Sequence, residues 1–291
     1  MNTVTLVQYQ VDAFSHRVFS GNPAAVIPLD RWLPDAVMQA IAEENNLSET
    51  AFYIPAENSS TFHLRWFTPV AEVDLCGHAT LATAHVLFQE RGFQGNEITF
   101  ETRSGDLHVT KDGNGLTMDF PTCPTHPVEM PNALRQGLRL TQEPAAILAG
   151  DDYIVVFDNE EKICSVRPDY QFLAQLDLRG VAITARGTEA DFVSRFFAPK
   201  FGVSEDPVTG SVHCALAPYW AKILHKDSMY ARQLSKRGGA ITCVLDGGRV
   251  RLSGHAVTFM EARIIIDAAS GPMASHNPIA RGDLAQNATK L

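Results

Sequence analysis

No stretch of this 291-residue chain approaches the roughly 20 consecutive apolar residues that a membrane-spanning helix needs, so no membrane role is expected. Met1 to Gln10 alternates polar and apolar residues, and no basic segment leads into an apolar one, which reads as a first strand and not a signal peptide. The chain also lacks GxGxxG after a strand, GxxxxGK[ST], GxSxG and HExxH, so nucleotide, flavin and zinc chemistries lose their usual sequence support. Cysteines are few: Cys76, Cys123, Cys164, Cys214 and Cys243 are scattered, odd in number and without CxxC spacing. Neither a metal site nor a disulfide framework is indicated, and a reducing cytoplasm is the default location. Basic residues are in deficit, 24 Lys and Arg against 33 Asp and Glu, for a net charge of -9. A broad nucleic-acid surface needs a basic stripe, so nucleic acid is not an expected partner.

What is present is a repeat. Phe62-His63-Leu64-Arg65-Trp66-Phe67-Thr68-Pro69 matches Phe192-Val193-Ser194-Arg195-Phe196-Phe197-Ala198-Pro199 in the pattern F-x-x-R-[WF]-F-x-P. A short acidic loop follows each copy, Val70 to Leu75 and then Lys200 to Thr209, and opens through glycine into a small-residue helix. Those helices start at Gly77-His78-Ala79-Thr80 and at Gly210-Ser211-Val212-His213. Further on, Arg103 to Gly113 parallels Arg237 to Gly247, each running strand, Asp-Gly turn, strand. Three blocks in the same order, 130 to 134 residues apart, make an internal duplication the simplest reading.

Pro121 to Pro131 carries four prolines in eleven residues and is expected to connect the halves. Residues 1–120 then form a first domain, 121–131 a linker and 132–267 a second domain, while 268–291 read as a polar tail. The helix from His78 to Gln89 is apolar on every face, which marks a buried helix. Short alternating strands (Thr3 to Asp12, Ile98 to Glu101, Val250 to Ser253) surround it in sequence. The expected class is therefore α+β: two pseudo-symmetric domains, each a curved sheet wrapped around a central helix. A further amphipathic helix is predicted over Asp35 to Glu44, with Val37, Met38 and Ile41 at helical spacing and Pro34 near its start.

A helix N-terminus offers unpaired backbone N–H groups and a partial positive charge, so it attracts carboxylate or phosphate. Halves facing each other about a pseudo-dyad would aim the Gly77 and Gly210 starts at one cleft, which could hold a small anionic substrate without a lysine. Glu49, between Ser48 and Thr50, is either a solvated helix end or a carboxylate partly removed from water and suited to proton transfer. Asp206 is a cap for the second helix, a substrate contact, or both. Cys76, directly before Gly77, is either a small buried side chain or a thiol with its pKa lowered by the helix start. His78 in the same turn binds substrate or is satisfied by backbone; His63, His85, His213 and His255 show no metal-ligand spacing and read as structural.

These residues resemble the phenazine-biosynthesis PhzF-like proteins, relatives of diaminopimelate epimerase. The matching motifs are Val11-Asp12-Ala13-Phe14, Gly21-Asn22-Pro23-Ala24-Ala25-Val26, Ser48-Glu49-Thr50-Ala51-Phe52, Phe67-Thr68-Pro69, Cys76-Gly77-His78-Ala79-Thr80 and Glu205-Asp206-Pro207-Val208-Thr209-Gly210-Ser211-Val212-His213. The resemblance implies two barrel-like, mostly antiparallel domains with the site between them, no cofactor and no metal, and a homodimer. It implies Glu49 as catalytic base and acid with His78 and Asp206 as partners. Ser211, Ser48 and Cys76 would touch the substrate, and Gly77 and Gly210 would supply backbone donors. The chain departs from the epimerase branch, which uses one cysteine per helix start: Cys76 stands at the first, but Thr209-Gly210-Ser211 at the second, with Cys214 a turn inside the helix.

The leading expectation is a cofactor-independent isomerase that moves a proton on a small carboxylate-bearing substrate. An amino-acid racemase or epimerase using Cys76 is the rival enzyme, and a non-catalytic small-anion binding protein is the rival from another class. Whether phenazine chemistry is involved is not written in the sequence.

Overall fold

A computed structural model describes residues 3–113 and 115–267. The expected tail, 268–291, lies outside the described residues. The described chain divides into two compact units, the first made of residues 3–19, Pro23–Met118 and residues 255–267, the second of Ser20–Asn22 and Asp119–Gly254.

The first unit begins with β1 (Thr3–Ala13) and β2 (Asn22–Pro28), followed by α1 (Asp35–Asn45). Then come β3 (Glu49–Pro55), β4 (Thr61–Phe67), β5 (Glu72–Val73) and α2 (Gly77–His85). β6 (Glu97–Thr102), β7 (Gly105–Asp112) and β8 (Gly115–Pro121) complete the run, and the unit boundary falls inside β8. In the second unit β9 (His126–Pro127), α3 (Asn132–Gly137), β10 (Ala146–Ala149), β11 (Tyr153–Val156), α4 (Glu160–Ser165) and α5 (Tyr170–Leu173) come first. They lead to β12 (Val181–Arg186), β13 (Phe192–Ala198), β14 (Val203–Asp206) and α6 (Gly210–Leu224). β15 (Ser228–Gln233), β16 (Gly239–Asp246) and β17 (Arg249–Gly254) close that unit, and β18 (Ala256–Asp267) returns to the first.

The duplication in sequence is a duplication in pairing. β2 runs parallel to β3 and β3 antiparallel to β4, as β11 runs parallel to β12 and β12 antiparallel to β13. Across each buried helix the next strand returns parallel to the motif strand, β6 on β4 and β15 on β13. Each copy then finishes in an antiparallel hairpin, β7–β8 and β16–β17. Gly113 and Gly247 open the two hairpin turns at φ +58° and +59°, a left-handed conformation that glycine adopts without steric cost.

The helices are buried because they are apolar all round. His78 through Ala84 of α2 are buried, and α2 packs on β1, β3 and β18. In α6, Val212 to Ala217 and Trp220 are buried against β15, β16 and β17. The α+β class therefore holds, with a mainly antiparallel sheet against a buried helix in each unit. The apolar run read as one helix from His78 to Gln89 is an α-helix to His85 followed by a wider π turn over Val86–Glu90. α1 buries Met38, Ile41 and Ala42 and ends where Asn46 turns left-handed (φ 48°) and donates its N–H to the Ala42 carbonyl.

Two segments differ from the expected domain limits. Residues 121–131 are assigned to the second unit, where His126 and Pro127 pair with Ala149 and Leu148. Both residues are exposed, and proline is tolerated in so short a stretch at a sheet edge. Residues 256–267, grouped by sequence with the second half, pair antiparallel with β1 from Ala13 to Thr3. Eleven residues of ladder outweigh chain proximity in deciding where that strand belongs.

Candidate active site

The repeated arginine explains how each helix start is held. Arg65 grips Glu72 with two bonds, Nε to Oε1 at 2.7 Å and Nη2 to Oε2 at 2.8 Å, and lies 5.2 Å from the centre of the Phe67 ring. Arg195 grips Glu205 in the same way, at 2.7 and 3.0 Å, and lies 5.0 Å from the Phe197 ring. Its Nη1 also donates to the carbonyls of Ile163 and Val166. A planar guanidinium matches a carboxylate at two points and stacks on an aromatic face, so each arginine ties its strand to the acidic loop beyond it. A second repeated device closes each first turn: Thr80 Oγ1 donates to the Cys76 carbonyl at 2.6 Å, and His213 Nδ1 meets the Thr209 carbonyl at 2.7 Å.

In the first unit three predicted residues converge. Glu49 opens β3 beside β2, in register with Ala24, and is 8% exposed. The approach to it is stapled. Asn45 and Gln8 exchange amide hydrogen bonds at 2.9 and 3.1 Å, and Asn45 also donates to Thr50 Oγ1 at 3.0 Å. The solvated-end reading of Glu49 is thereby set aside. Ser48 precedes it and is half-buried. His78, second residue of α2, places Nε2 3.1 Å from Glu49 Oε2 and Nδ1 3.4 Å from Cys76 Sγ.

The electrostatics follow from this row. Burial opposes charge on His78, but the Cys76 sulfur and the Glu49 carboxylate favour it and hold its pKa well above the ordinary histidine value. Cys76 is the N-cap of α2, yet its thiol is not acidified as expected from a helix start. Burial pushes it up to about 11, and the Glu49 carboxylate adds to the shift. Near neutrality Cys76 therefore keeps its proton.

Glu49, Cys76 and His78 are also a group of three possible metal ligands, with one donor atom each within 4.8 Å of the others. A metal requires donors that converge on one point. His78 instead turns one ring nitrogen, Nδ1, towards the sulfur and the other, Nε2, towards the carboxylate, so a single metal could not take both contacts.

In the second unit the predicted residues gather at the start of α6. Thr209 is its N-cap, Gly210 its first residue and Ser211, half-buried, its second. Asp206 lies three residues before the Thr209 N-cap. Its carboxylate accepts from the Thr209 hydroxyl and from Asn22 Nδ2, the latter at 2.8 Å. Gln233 completes the setting, its Oε1 accepting the Thr209 N–H at 2.9 Å and its Nε2 donating to the Asp206 carbonyl at 2.7 Å. Asn22 and Gln233 were missed as site residues. The Gly21-Asn22-Pro23 turn was a usable signal for the first, but nothing local marks the second.

Comparison with known proteins places the chain in a family. The phenazine biosynthesis-like protein family, PhzC-PhzF, matches residues 11–262. A Pseudomonas aeruginosa protein named as an uncharacterized isomerase is 50% identical over 257 residues, covering 88% of this chain and 97% of its own. A crystal structure of a PhzF-family phenazine biosynthesis protein from Enterococcus faecalis superposes with a TM-score of 0.86 at 44% identity, covering 90% of this chain and 99% of that one. A hydroxyproline epimerase from Agrobacterium vitis, 12% identical, shares the fold with a TM-score of 0.57 over 90% of this chain and 93% of its own.

Proposed function

Because the chain belongs to the PhzC-PhzF, phenazine biosynthesis-like family and is an isomerase of that kind, we propose that it shifts a proton on a small carboxylate-bearing substrate with Glu49 as base and acid. The observation that carries this reading is the buried contact between Glu49 and His78, 3.1 Å apart. A carboxylate shielded from water removes a proton from carbon next to an activating π-system. It returns that proton at another carbon, and the formula of the substrate is unchanged. Protonated His78 is a charged donor beside the reacting atoms and steadies the negative charge that develops when the proton leaves. The three side chains supply acid and base without a cofactor. In the second unit the α6 start, with Gly210, Ser211 and Asp206, is suited to hold a carboxylate through backbone N–H groups.

The test is Glu49→Gln. A panel of small carboxylates with activated C–H bonds, including cyclic dienoic acids and α-amino acids, is incubated in D2O and followed by NMR. A positioned acid/base group contributes about 10²–10⁴ in rate, and a loss of that size is expected. Undiminished exchange in the variant would remove Glu49 as the base.

One observation favours a second reading. Cys76 Sγ lies 3.4 Å from the other nitrogen of His78, so a thiol stands ready on the far side of the same ring. An amino-acid epimerase built on Cys76 would lose Cα–H exchange in Cys76→Ala and keep it in Glu49→Gln.

A further inference from the structure

The mechanism leaves four cysteines unused, and two of them meet across 91 positions of sequence. Cys123 lies in the proline-rich segment after β8, and Cys214 lies one turn inside α6; both belong to the second unit. The Cys123 N–H donates to the Cys214 carbonyl at 3.0 Å. A bond of that length keeps the two Cα atoms within about the 4.4–6.8 Å that a disulfide spans.

Neither end is free to drift. Thr122 donates its N–H to the Gly248 carbonyl at 3.0 Å, and a Cβ at Gly150 would stand 2.9 Å from the Pro124 carbonyl oxygen, so the segment is pinned on both sides of Cys123. Cys214 is fixed in the helix, its Sγ 3.8 Å from the Gly210 carbonyl. Exposure differs between the two: Cys123 is half-buried, Cys214 is buried. The neighbouring Cys214 lowers the Cys123 thiol below the ordinary cysteine value, while Cys123 and burial hold Cys214 well above it. Cys123 is the member that an oxidant can reach from solvent, and Cys214 is the buried one.

We infer that Cys123 and Cys214 are a peroxide-sensitive dithiol, Cys123 attacking and Cys214 resolving, that closes into a reversible disulfide. The oxidant is a hydroperoxide. The Cys123 thiolate attacks its terminal oxygen, the O–O bond breaks, and water or an alcohol leaves after protonation. Cys123 is then a sulfenic acid. The Cys214 sulfur, giving up its proton, displaces hydroxide from it; the S–S bond forms, the S–O bond breaks and water leaves. A dithiol reductant reverses the link by exchange. Low-pKa, accessible cysteines next to a resolving partner are the usual form of such sensors. In a reducing compartment a link of this kind would be transient.

The test treats the whole protein with hydrogen peroxide and quenches free thiols under denaturing conditions. Of the five cysteines two should disappear from the thiol count, and a non-reducing digest should contain the Cys123 peptide linked to the Cys214 peptide. Dithiothreitol should restore both. In Cys214→Ser, Cys123 should stop at the sulfenic acid and become trappable by dimedone, while Cys123→Ser should lower peroxide consumption by at least tenfold. Circular dichroism of both variants separates lost chemistry from lost folding, and Cys123→Ser, at a half-buried site, keeps the test open should Cys214→Ser misfold. Oxidation at exposed Cys164 first, a link involving Cys243, or over-oxidation of Cys123 without a link would each overturn the inference. None of these outcomes bears on Glu49.

Discussion

Glu49 Oε2 and His78 Nε2 stand 3.1 Å apart, one at the first residue of a strand and the other at the second residue of a helix, both buried in the first unit. Twenty-nine positions of sequence separate them, and the pairing of β3 with β2 and the packing of α2 on β3 bring them together. The Glu49 carboxylate favours charge on His78, because a buried imidazolium needs a negative partner.

The raised pKa of His78 sets a direction for stability against pH. A histidine whose folded value exceeds its unfolded one stabilises fully below about pH 6.5 and loses that contribution as pH rises through the folded value. Urea unfolding of the wild type and of His78→Gln across pH 6 to 9 should therefore show a gap that narrows with rising pH. The narrowing should be on the order of 1 kcal/mol per unit by which the titration is raised. A gap constant across that range would contradict the ion pair.

His213 should act in the opposite sense. Burial pushes it down to about 4, although its bond to the Thr209 carbonyl works the other way. A histidine held neutral in the fold costs stability as pH falls from about 6.5 towards its folded value. The slope of unfolding free energy between pH 6.5 and 4.5 should be shallower in His213→Gln than in the wild type, by up to about 1 kcal/mol per pH unit. An equal slope in both would count against a neutral His213.

Cys76, with its thiol near 11, should resist alkylation in the native protein. At pH 8 its thiolate fraction is small, and iodoacetamide should label it on the order of a hundredfold more slowly than exposed Cys164. Peptide mass spectrometry over a time course reads both rates in one sample. Comparable rates would restore the picture of a thiol activated by its helix start.

Arg195 tests the repeated clamp. Arg195→Met keeps the stacking volume over Phe197 and leaves Glu205 without its two-point partner, so a loss on the order of 2 kcal/mol is expected in urea unfolding. Arg195→Lys keeps the charge but not the fork, and should recover less than half of it. Lysine fully rescuing the stability would mean that charge alone holds the loop.

Much of the fold was legible because its determinants are local. The period of Val37, Met38 and Ile41 placed α1 to within one residue of its observed end, and the Asp-Gly pairs at 112–113 and 246–247 marked two hairpins whose glycines are left-handed. Aligning Arg65 with Arg195 also led to the two loops they clamp. The site was harder to read. For Cys76 the sequence left open a small buried side chain or a thiol acidified by the helix start, and burial beside Glu49 decides against the acidified thiol. Asp206 read as a helix cap, a substrate contact or both, and nothing near it in sequence announced its bond from Asn22, 184 positions away.

By itself the sequence determined what depends on neighbours along the chain: the periods, the turns, the duplication and the motif set that carries the family. The tertiary structure decided which distant groups meet and how dry they are. It returned β18 to β1, set Glu49 against His78 and laid Cys123 against Cys214. Those are statements about desolvation and about contacts closed across long loops, and no window of sequence contains either.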